Sequence, residues 1–174
     1  MELETTRLYL RPFQVSDITQ VYLDALNDLS IIGQTEARHL FWDRKSATEF
    51  IQLANEISSI LFGVFIKEND KPIGNVRLFN IHSIHKRAEL SLLFYDKNEW
   101  SKGYATESVN AVINYGFNTL GLHRIIADYY ATNIASSKMF SKVGFVIEGV
   151  FREHFLVEHN KFVDSIRVAK INII

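Results

Sequence analysis

Residues 92–106 constrain the fold more than any other part of the sequence. An apolar run at residues 92–95 leads through the mostly polar residues 96–103 into a long amphipathic segment. Its apolar side chains recur at helical spacing and end before a glycine, Gly121: Ala105, Val109, Val112, Ile113, Phe117 and Leu120. A buried strand joined this closely to an amphipathic helix predicts a domain that mixes strands and helices.

The rest of the chain indicates one central sheet with helices around it, in the order β-αα-βββ-α-β-α-ββ. Apolar runs predict strands over residues 7–11, 61–67, 73–81, 87–95, 124–131, 145–156 and 161–170. Helical spacing predicts helices over residues 16–28, 44–58, 104–120 and 134–143. We therefore expect an α/β fold with a mixed sheet of about seven strands flanked by about four helices. No linker or repeat interrupts residues 1–174, so we expect a single domain.

The composition excludes several functional classes. The 174 residues include no cysteine, which removes disulfide scaffolds, thiolate zinc sites and cysteine nucleophiles. The chain has 19 lysines and arginines against 20 aspartates and glutamates, so it lacks the excess of positive charge that binds a nucleic-acid backbone. The longest apolar run, residues 60–66, is too short to span a bilayer, and the acidic N-terminus is unlike a signal peptide. We expect a cytoplasmic protein that binds neither nucleic acid nor a membrane.

The start of the long helix is a candidate anion site. The first turn of a helix carries unpaired backbone amides and the positive end of the helix dipole. Gly103 brings no Cβ that would hold a diphosphate away from the backbone, and Lys102 adds a cation beside it. An ordinary helix start, in which the glycine serves only the geometry of the turn, is the alternative interpretation.

Two motifs resemble those of the GNAT acetyltransferases. The first is similar to the loop that binds the coenzyme A pyrophosphate in that family: Trp100-Ser101-Lys102-Gly103-Tyr104-Ala105-Thr106-Glu107. Trp100 replaces the usual Gln or Arg, as is common in the branch that includes the ribosomal-protein N-terminal acetyltransferases. The second motif keeps that branch's spacing: Asn133, Ser136, and Lys142-Val143-Gly144-Phe145. The resemblance extends from Thr6 to Asp164 and implies a GNAT-like fold.

The resemblance implies acetyl-CoA as the cofactor. In that fold the strand before the loop leaves backbone groups free to pair with the pantetheine arm, as an added strand would. A free N–H of Leu93 or Phe94 would hold the oxyanion that develops on the thioester carbonyl. The implied cofactor-binding residues are Leu92, Leu93, Phe94, Ser101, Lys102, Gly103, Tyr104, Ala105, Thr106, Asn133, Ser136, Phe140 and Lys142.

The resemblance also implies direct transfer of the acetyl group to a primary amine within a ternary complex. A protonated amine must first lose a proton, so a base is expected. Glu89, in an otherwise apolar strand, matches a glutamate proposed as the base in that branch. Its alternative role is a solvent-facing strand residue that pairs with Arg87 or Lys86.

The general acid is less well indicated. Many family members protonate the leaving sulfur with a tyrosine at the position of Phe140, and Phe140 has no proton to donate. Ser136 is the candidate replacement, and a hydroxyl that caps the helix is its alternative role. Coenzyme A could also leave as the thiolate, because an unperturbed thiol has a pKa near 8.5.

The acceptor pocket in this family is formed by the first two helices, their connecting loop and the final hairpin. The candidate acceptor-binding residues are therefore Glu36, Arg38, Trp42 and His154. Short resemblances favour a small-molecule amine, such as an amino sugar on a nucleotide carrier. A protein N-terminus and a non-catalytic acetyl-CoA-binding module are the alternatives. Glu36 and Arg38 could instead form a solvated salt-bridging loop, Trp42 could be a core residue, and His154 could be an ordinary strand residue.

The histidines provide weak evidence for a metal site. His82 and His85 are spaced compatibly with a metal ion, but no third ligand accompanies them. We expect no metal, and a chain that acts as a monomer or a homodimer.

Overall fold

The structure, a computed structural model, describes residues 1–56 and 58–173, without the side chain of His159. Within these residues, eight strands form one sheet and five α-helices pack around it. The strands are β1 (Leu3–Glu4), β2 (Leu8–Pro12), β3 (Ile60–Ile66), β4 (Lys71–His82), β5 (Arg87–Phe94), β6 (Arg124–Tyr130), β7 (Val146–Leu156) and β8 (Phe162–Ile171). The helices are α1 (Gln20–Leu26), α2 (Leu29–Ile32), α3 (Arg44–Ala54), α4 (Tyr104–Asn118) and α5 (Ile134–Lys142).

The predicted α/β architecture is confirmed, with small differences in its elements. The additional strand β1 has only two residues, too few to show an alternating pattern, and it pairs with β2 through Leu3 and Leu10. The additional helix α2 is a single turn. The helix predicted over residues 44–58 corresponds to α3, and Ile57 of that range lies outside the described residues.

The first helix begins later than its sequence predicts. Thr19 rather than Ser16 or Asp17 caps α1, since its hydroxyl accepts a hydrogen bond from the Tyr22 amide at 3.1 Å. Asp17 is occupied elsewhere, because its carboxylate binds the Arg11 guanidinium at 2.7 Å. Asp17 lies in a separate short turn, residues Val15–Asp17, where its carboxylate also accepts a hydrogen bond from the Gln14 amide at 2.8 Å.

The strand order is β1-β2-β3-β4-β5-β6-β8-β7. Neighbouring strands are antiparallel except β5 and β6, which are parallel. A parallel pair requires a crossover, and α4 supplies it. Because parallel strands end at the same edge of a sheet, α4 and α5 both start at the edge where β5 and β6 end.

Each face of the sheet carries its own apolar core. On one face, Val112 of α4 and Phe140 of α5 belong to a buried cluster with Leu90 of β5. On the other, Tyr22 of α1 and the α3 side chains cluster with Tyr95, just after β5. Successive side chains of β5 therefore anchor it from both sides, which fixes the strand that borders the candidate site.

Candidate active site

The strands β5 and β6 pair over only three residues each and then separate. Residues 87–89 of β5 lie opposite residues 124–126 of β6, and beyond them neither strand has the other as a partner. Strand β5 nevertheless continues to Phe94, and β6 continues to Tyr130. The separation leaves one edge of β5 unpaired along residues 90–94. We call the space between these two strand ends the β5–β6 opening.

The register of β4 and β5 shows which backbone groups face this opening. The Tyr95 amide donates to the carbonyl of Ile73 in β4 at 3.1 Å. Backbone groups alternate in direction along a strand, so the backbone N–H and C=O of Leu93, two residues earlier, also point toward β4. Leu92 and Phe94 therefore direct their backbone groups into the opening. This corrects the expectation for Leu93, whose amide is used within the sheet.

Trp100 forms a hydrogen bond with one of the backbone groups that face the opening. Its indole N–H donates to the Phe94 carbonyl at 2.9 Å. The Leu92 amide and carbonyl and the Phe94 amide remain directed into the opening. Trp100, which replaces the residue usual at this position of the motif, thus holds the end of β5 against the loop that leads to α4.

The backbone at the start of α4 is shaped for close approach by a ligand. Gly103 has φ of 85°, a left-handed conformation that favours glycine, and Ser101 has φ of 62°. The first helical hydrogen bond runs from the Glu107 amide to the Gly103 carbonyl, so the amides of residues 104–106 precede it. A Cβ at Gly103 would meet only the Arg7 guanidinium, at 3.5 Å.

A partly exposed polar network, which the sequence alone does not indicate, holds α4 in place. The Glu107 carboxylate accepts hydrogen bonds from the Thr5 hydroxyl at 2.6 Å and from the Arg7 amide and Nε at 2.8 Å. Arg7 also donates to the Lys102 carbonyl at 2.9 Å, and its guanidinium lies over the Tyr104 ring. The N-terminal segment and the predicted pyrophosphate loop are thereby joined.

Burial by itself raises the pKa of Glu107, but the hydrogen bonds from Thr5 and Arg7 outweigh it. The pKa of Glu107 therefore lies below its ordinary value, and the side chain is a carboxylate at neutral pH. Its negative charge near the N-terminal turn of α4 also complements the helix dipole. The network depends on this charge.

The predicted cation beside Gly103 is already paired. Lys102 Nζ lies 2.7 Å from Glu99, whose carboxylate also receives Lys71 at 3.3 Å. Lys71 in turn contacts Asp96 at 2.6 Å. Lys102 is thus part of a surface ion-pair cluster on the loop.

The start of α5 presents a free hydroxyl to the same region. The Asn133 side chain caps α5 by accepting from the Ser136 amide at 3.0 Å. The cap is therefore Asn133, and the Ser136 hydroxyl has no hydrogen-bond partner among the described residues. Phe140 is buried and stacked on Tyr129 with ring centroids 5.8 Å apart. Lys142, near the end of α5, is exposed.

A cavity of about 450 Å³ lies against the β5–β6 opening; we call it the central cleft. Aromatic and aliphatic side chains line most of it, and they come from β4, β5, β6 and α5 as well as from α1, α3, β3 and β7. Predicted site residues that line it are Glu36, Trp42, Leu92, Leu93, Asn133, Ser136 and Phe140. Ser136 and Phe140 bring the start of α5 to its wall, so the predicted cofactor and acceptor regions share one cavity.

Glu36 is the predicted acceptor residue that lies most directly in the cleft. Its carboxylate accepts a hydrogen bond from the Tyr130 hydroxyl at 2.5 Å, and both residues line the cavity. Burial, followed by this carboxylate, raises the pKa of Tyr130, so its hydroxyl remains a donor at physiological pH. The pair joins the end of β6 to the loop after α2.

Arg38 and His154 lie outside the cleft lining, contrary to their predicted role. The Arg38 guanidinium donates to the Gly33 carbonyl and pairs with Glu158 at 3.4 Å, so it ties two loops together. Strand β7 has an irregular register between Phe151 and Phe155. As a result Phe155, stacked on the Tyr130 ring at 4.2 Å, lines the cleft while His154 is exposed.

Trp42 is both a core residue and part of the cleft wall. It is 6% exposed, and its indole N–H donates to the Ala37 carbonyl at 2.9 Å. Its neighbour Phe41 is 80% exposed and belongs to no described core. The two adjacent aromatic residues therefore have different environments.

Glu89 borders the cleft without lining it. Its carboxylate accepts a hydrogen bond from the Asn80 amide at 3.0 Å. It lines a separate depression of about 380 Å³ with Asn80, His82 and Arg87. Ser91, the next residue on the same face of β5, does line the central cleft.

Sequence reasoning missed two polar residues of β4 in the cleft wall, Asn75 and Arg77. Asn75 is 5% exposed, and neither its amide nitrogen nor its amide oxygen has a hydrogen-bond partner. Arg77 donates through Nε to the Ser59 hydroxyl at 3.0 Å. Both are polar residues of a strand, and the sequence does not indicate which face of the sheet they occupy until the strand register is known.

The described residues contain no cluster of three or more His, Asp or Glu side chains arranged for a metal ion. None of their helices has the length and apolarity required to cross a bilayer.

Comparison with known proteins agrees with this geometry. Residues 7–146 match the family model described as an acetyltransferase (GNAT) domain. A probable N-acetyltransferase, YjcK, of Bacillus subtilis is 31% identical over 153 residues, covering 84% of each chain. Spermidine N(1)-acetyltransferase of Escherichia coli K12 is 25% identical over 166 residues, covering 92% of this chain and 83% of that protein.

A solved structure shows the shared fold. Spermidine N-acetyltransferase from Vibrio cholerae, in complex with CoA and spermine, superposes with a TM-score of 0.84 at 23% identity over 96% of both chains. The fold features of this chain are a mixed sheet that opens between its two parallel strands and a helix that starts at the opening. The chain belongs to the GNAT acetyltransferase family and is an acetyl-CoA-dependent N-acetyltransferase.

The residues present fit acetyl-CoA. The free edge of β5 offers backbone donors and acceptors to an extended amide-containing arm. Gly103 keeps the start of α4 open where a side chain would block an anion, and the amides of residues 104–106 follow it. The two features lie at the same edge of the sheet, and Leu92 and Leu93 of β5 line the central cleft.

Proposed function

We propose that this N-acetyltransferase acetylates the primary amine of a small molecule, with an amino sugar on a nucleotide carrier preferred over a protein N-terminus. The central cleft is the observation that supports the proposal. Its volume of about 450 Å³ lies in the range of small-molecule sites. Its aromatic walls, including Tyr22, Phe50 and Phe155, provide stacking faces for a planar or sugar ring.

Acetyl-CoA would supply the acetyl thioester. We assign its pyrophosphate to the α4 start, with Ser101, Lys102, Gly103, Tyr104, Ala105 and Thr106 around it. The pantetheine arm would pair with the edge of Leu92 and Phe94. Asn133, Ser136, Phe140 and Lys142 would contact it from α5.

The free backbone amides of β5 would polarise the carbonyl of the acetyl thioester. The Phe94 amide and the Leu92 amide are the two donors directed into the opening. A preorganised amide of this kind stabilises a developing oxyanion by several kcal/mol, on the order of 10²–10³ in rate. The Trp100 contact to the Phe94 carbonyl fixes this end of the strand.

Glu89 is our proposed general base, acting on the amine through water. Its position beside Ser91 supports a relay along the cleft-facing side of β5. Glu36, whose carboxylate lies in the cleft, is the competing base. Variants at the two carboxylates separate the two assignments.

Ser136 is the proposed proton donor to the leaving thiolate. Its hydroxyl is free of other partners among the described residues and lines the cleft. Buried Phe140 offers no proton, and the Tyr130 hydroxyl is engaged by Glu36. A thiolate that leaves without help requires no donor, so the proposal predicts a modest effect of Ser136→Ala, within about tenfold in kcat.

A polyamine is the second candidate acceptor. Two similar proteins are named spermidine acetyltransferases, and the Glu36 carboxylate in the cleft could receive an ammonium group. The Arg77 cation in the same wall opposes it, because a polyamine carries several positive charges. The amino-sugar class therefore remains our preference.

A thiol-release assay tests the proposal. Acetyl-CoA would be incubated with the protein and with panels of nucleotide-linked amino sugars, polyamines and short peptides. We expect saturable release with a small amine above the rate of hydrolysis. Turnover of a peptide N-terminus with none of any small amine would contradict the proposed acceptor, and hydrolysis-level release throughout would contradict acetyl transfer to an amine.

A further inference from the structure

The Asn75 side chain is a buried amide with unused hydrogen-bonding capacity. Folding leaves it 5% exposed among apolar neighbours, with both polar atoms unpaired, at the wall of the central cleft. Burying such a group without a partner is unfavourable, so almost all buried side-chain amides have one. An orphaned amide that faces a cavity is suited to a ligand that supplies the missing partner.

Arg77 lies two residues further along β4 on the same face, about 7 Å away along the strand. Its Nε is fixed by the Ser59 hydroxyl, and its guanidinium packs against the Phe50 and Phe79 rings at 5.4 and 5.1 Å. Its two terminal nitrogens bond to no residue that the structure describes. The Arg77 guanidinium is therefore held in position, while the edge that carries its two terminal nitrogens makes no hydrogen bond to a described residue.

Among the described residues, Arg77 has no carboxylate partner although it is half-buried, whereas the other arginines without such a partner, Arg44, Arg87 and Arg152, are exposed. Arginines that do pair with a carboxylate are Arg7, Arg11, Arg38, Arg124 and Arg167. The cleft does contain an aspartate, Asp128, but Arg167 already binds both of its oxygens at 2.8–2.9 Å. Glu36 is engaged by Tyr130.

We propose that Asn75 and Arg77 form a subsite that binds an anionic oxygen group of the acceptor. The acceptor is then a primary amine that also carries a carboxylate or a phosphate. Arg77 would bind two oxygens side by side, the geometry that guanidinium favours for both groups, and the Asn75 amide nitrogen would donate to the same group. This inference rests on the proposed function, because it assigns the substrate class of the same cleft.

Matched pairs of amines test the subsite with the full-length protein and acetyl-CoA. Phenylalanine and phenethylamine differ only by the carboxylate, and glucosamine 1-phosphate and glucosamine differ only by the phosphate. In at least one pair we expect kcat/KM to be about 100-fold higher for the anionic member. The pair that shows the preference identifies the anionic group, and spermidine should be a poor acceptor.

Variants of Arg77 connect this preference to the residue. Arg77→Met should reduce the ratio within the preferred pair to about one, while the neutral member changes by less than about threefold. Arg77→Lys should retain part of the ratio, because it keeps the charge and loses the bidentate edge. Arg152→Met, at an exposed arginine of β7, is the matched control and should leave the ratio unchanged.

A binding readout separates this inference from the proposed function. At about ten times its Kd, the preferred anionic amine should raise the Tm of the wild type by roughly 2 °C or more and leave Arg77→Met unaffected. That shift without any thiol release would contradict the proposed function and support the subsite. Equal kcat/KM within both pairs, or an anionic preference that survives in Arg77→Met, would overturn the subsite.

Discussion

Replacing Asn75 with leucine should stabilise the protein. The two side chains have similar shapes, and the leucine removes two buried polar atoms that have no partner. An unsatisfied buried polar group costs about 1–3 kcal/mol, so the expected gain in unfolding free energy is about 2 kcal/mol. For a chain of this size each kcal/mol shifts the Tm by about 2–4 °C, which gives a rise of roughly 4–8 °C.

Differential scanning calorimetry of the wild type and Asn75→Leu measures this shift directly. Asn55→Leu is the matched control, because the Asn55 side chain makes three hydrogen bonds, to Phe13, Ile51 and Leu61, at 2.9–3.1 Å. That substitution should lower the Tm. A fall in Tm for Asn75→Leu would refute the reasoning, since it would mean that the Asn75 amide is satisfied in the folded protein.

Two other predictions concern the carboxylates. Glu107→Gln should weaken acetyl-CoA binding on the order of tenfold by calorimetry, because Arg7 and the α4 start lose their shared anion. Because the pKa of Glu107 is lowered in the folded protein, its charge stabilises the fold at pH values above the ordinary glutamate pKa. The Tm of the wild type should therefore exceed that of Glu107→Gln by its full amount at neutral pH, and the difference should shrink as the pH falls through the acidic range. A difference in Tm that stays constant with pH would contradict this prediction. Glu89→Gln should lower kcat/KM by roughly 10²–10⁴ with acetyl-CoA affinity changed only a few-fold. An equal loss of kcat/KM in Glu36→Gln, with normal activity in Glu89→Gln, would identify Glu36 rather than Glu89 as the general base.

The fold was largely predictable because its signals are local. The amphipathic pattern of residues 104–120 and the glycines that follow α4 and α5 depend on neighbours in sequence, and both helices formed close to where they were expected. Strand β1 was not predictable, because two residues carry no period. The start of α1 was misplaced because Val15–Asp17 form a separate short turn, which helical spacing alone does not distinguish from the helix.

The cleft was less predictable because its residues depend on strand register. Glu36, Ser136 and Phe140, which motifs and loop positions indicate as site residues, line one cavity. His154 and Phe155 exchange roles because of the irregular register of β7. Asn75 and Arg77 look like ordinary polar strand residues until the pairing of β4 shows that they face the cavity rather than solvent.

Calorimetric titration of acetyl-CoA into the wild type and Gly103→Glu tests the central claim that the β5–α4 segment binds the cofactor. A glutamate at Gly103 would set a carboxylate against the pyrophosphate. Gly121→Glu is the matched control, because Gly121 also has a left-handed backbone, with φ of 65°, and has no atom within 4 Å of a Cβ built on it. We predict binding to the wild type and to Gly121→Glu and none to Gly103→Glu. Undetectable binding to the wild type, or unchanged binding to Gly103→Glu, would contradict the account.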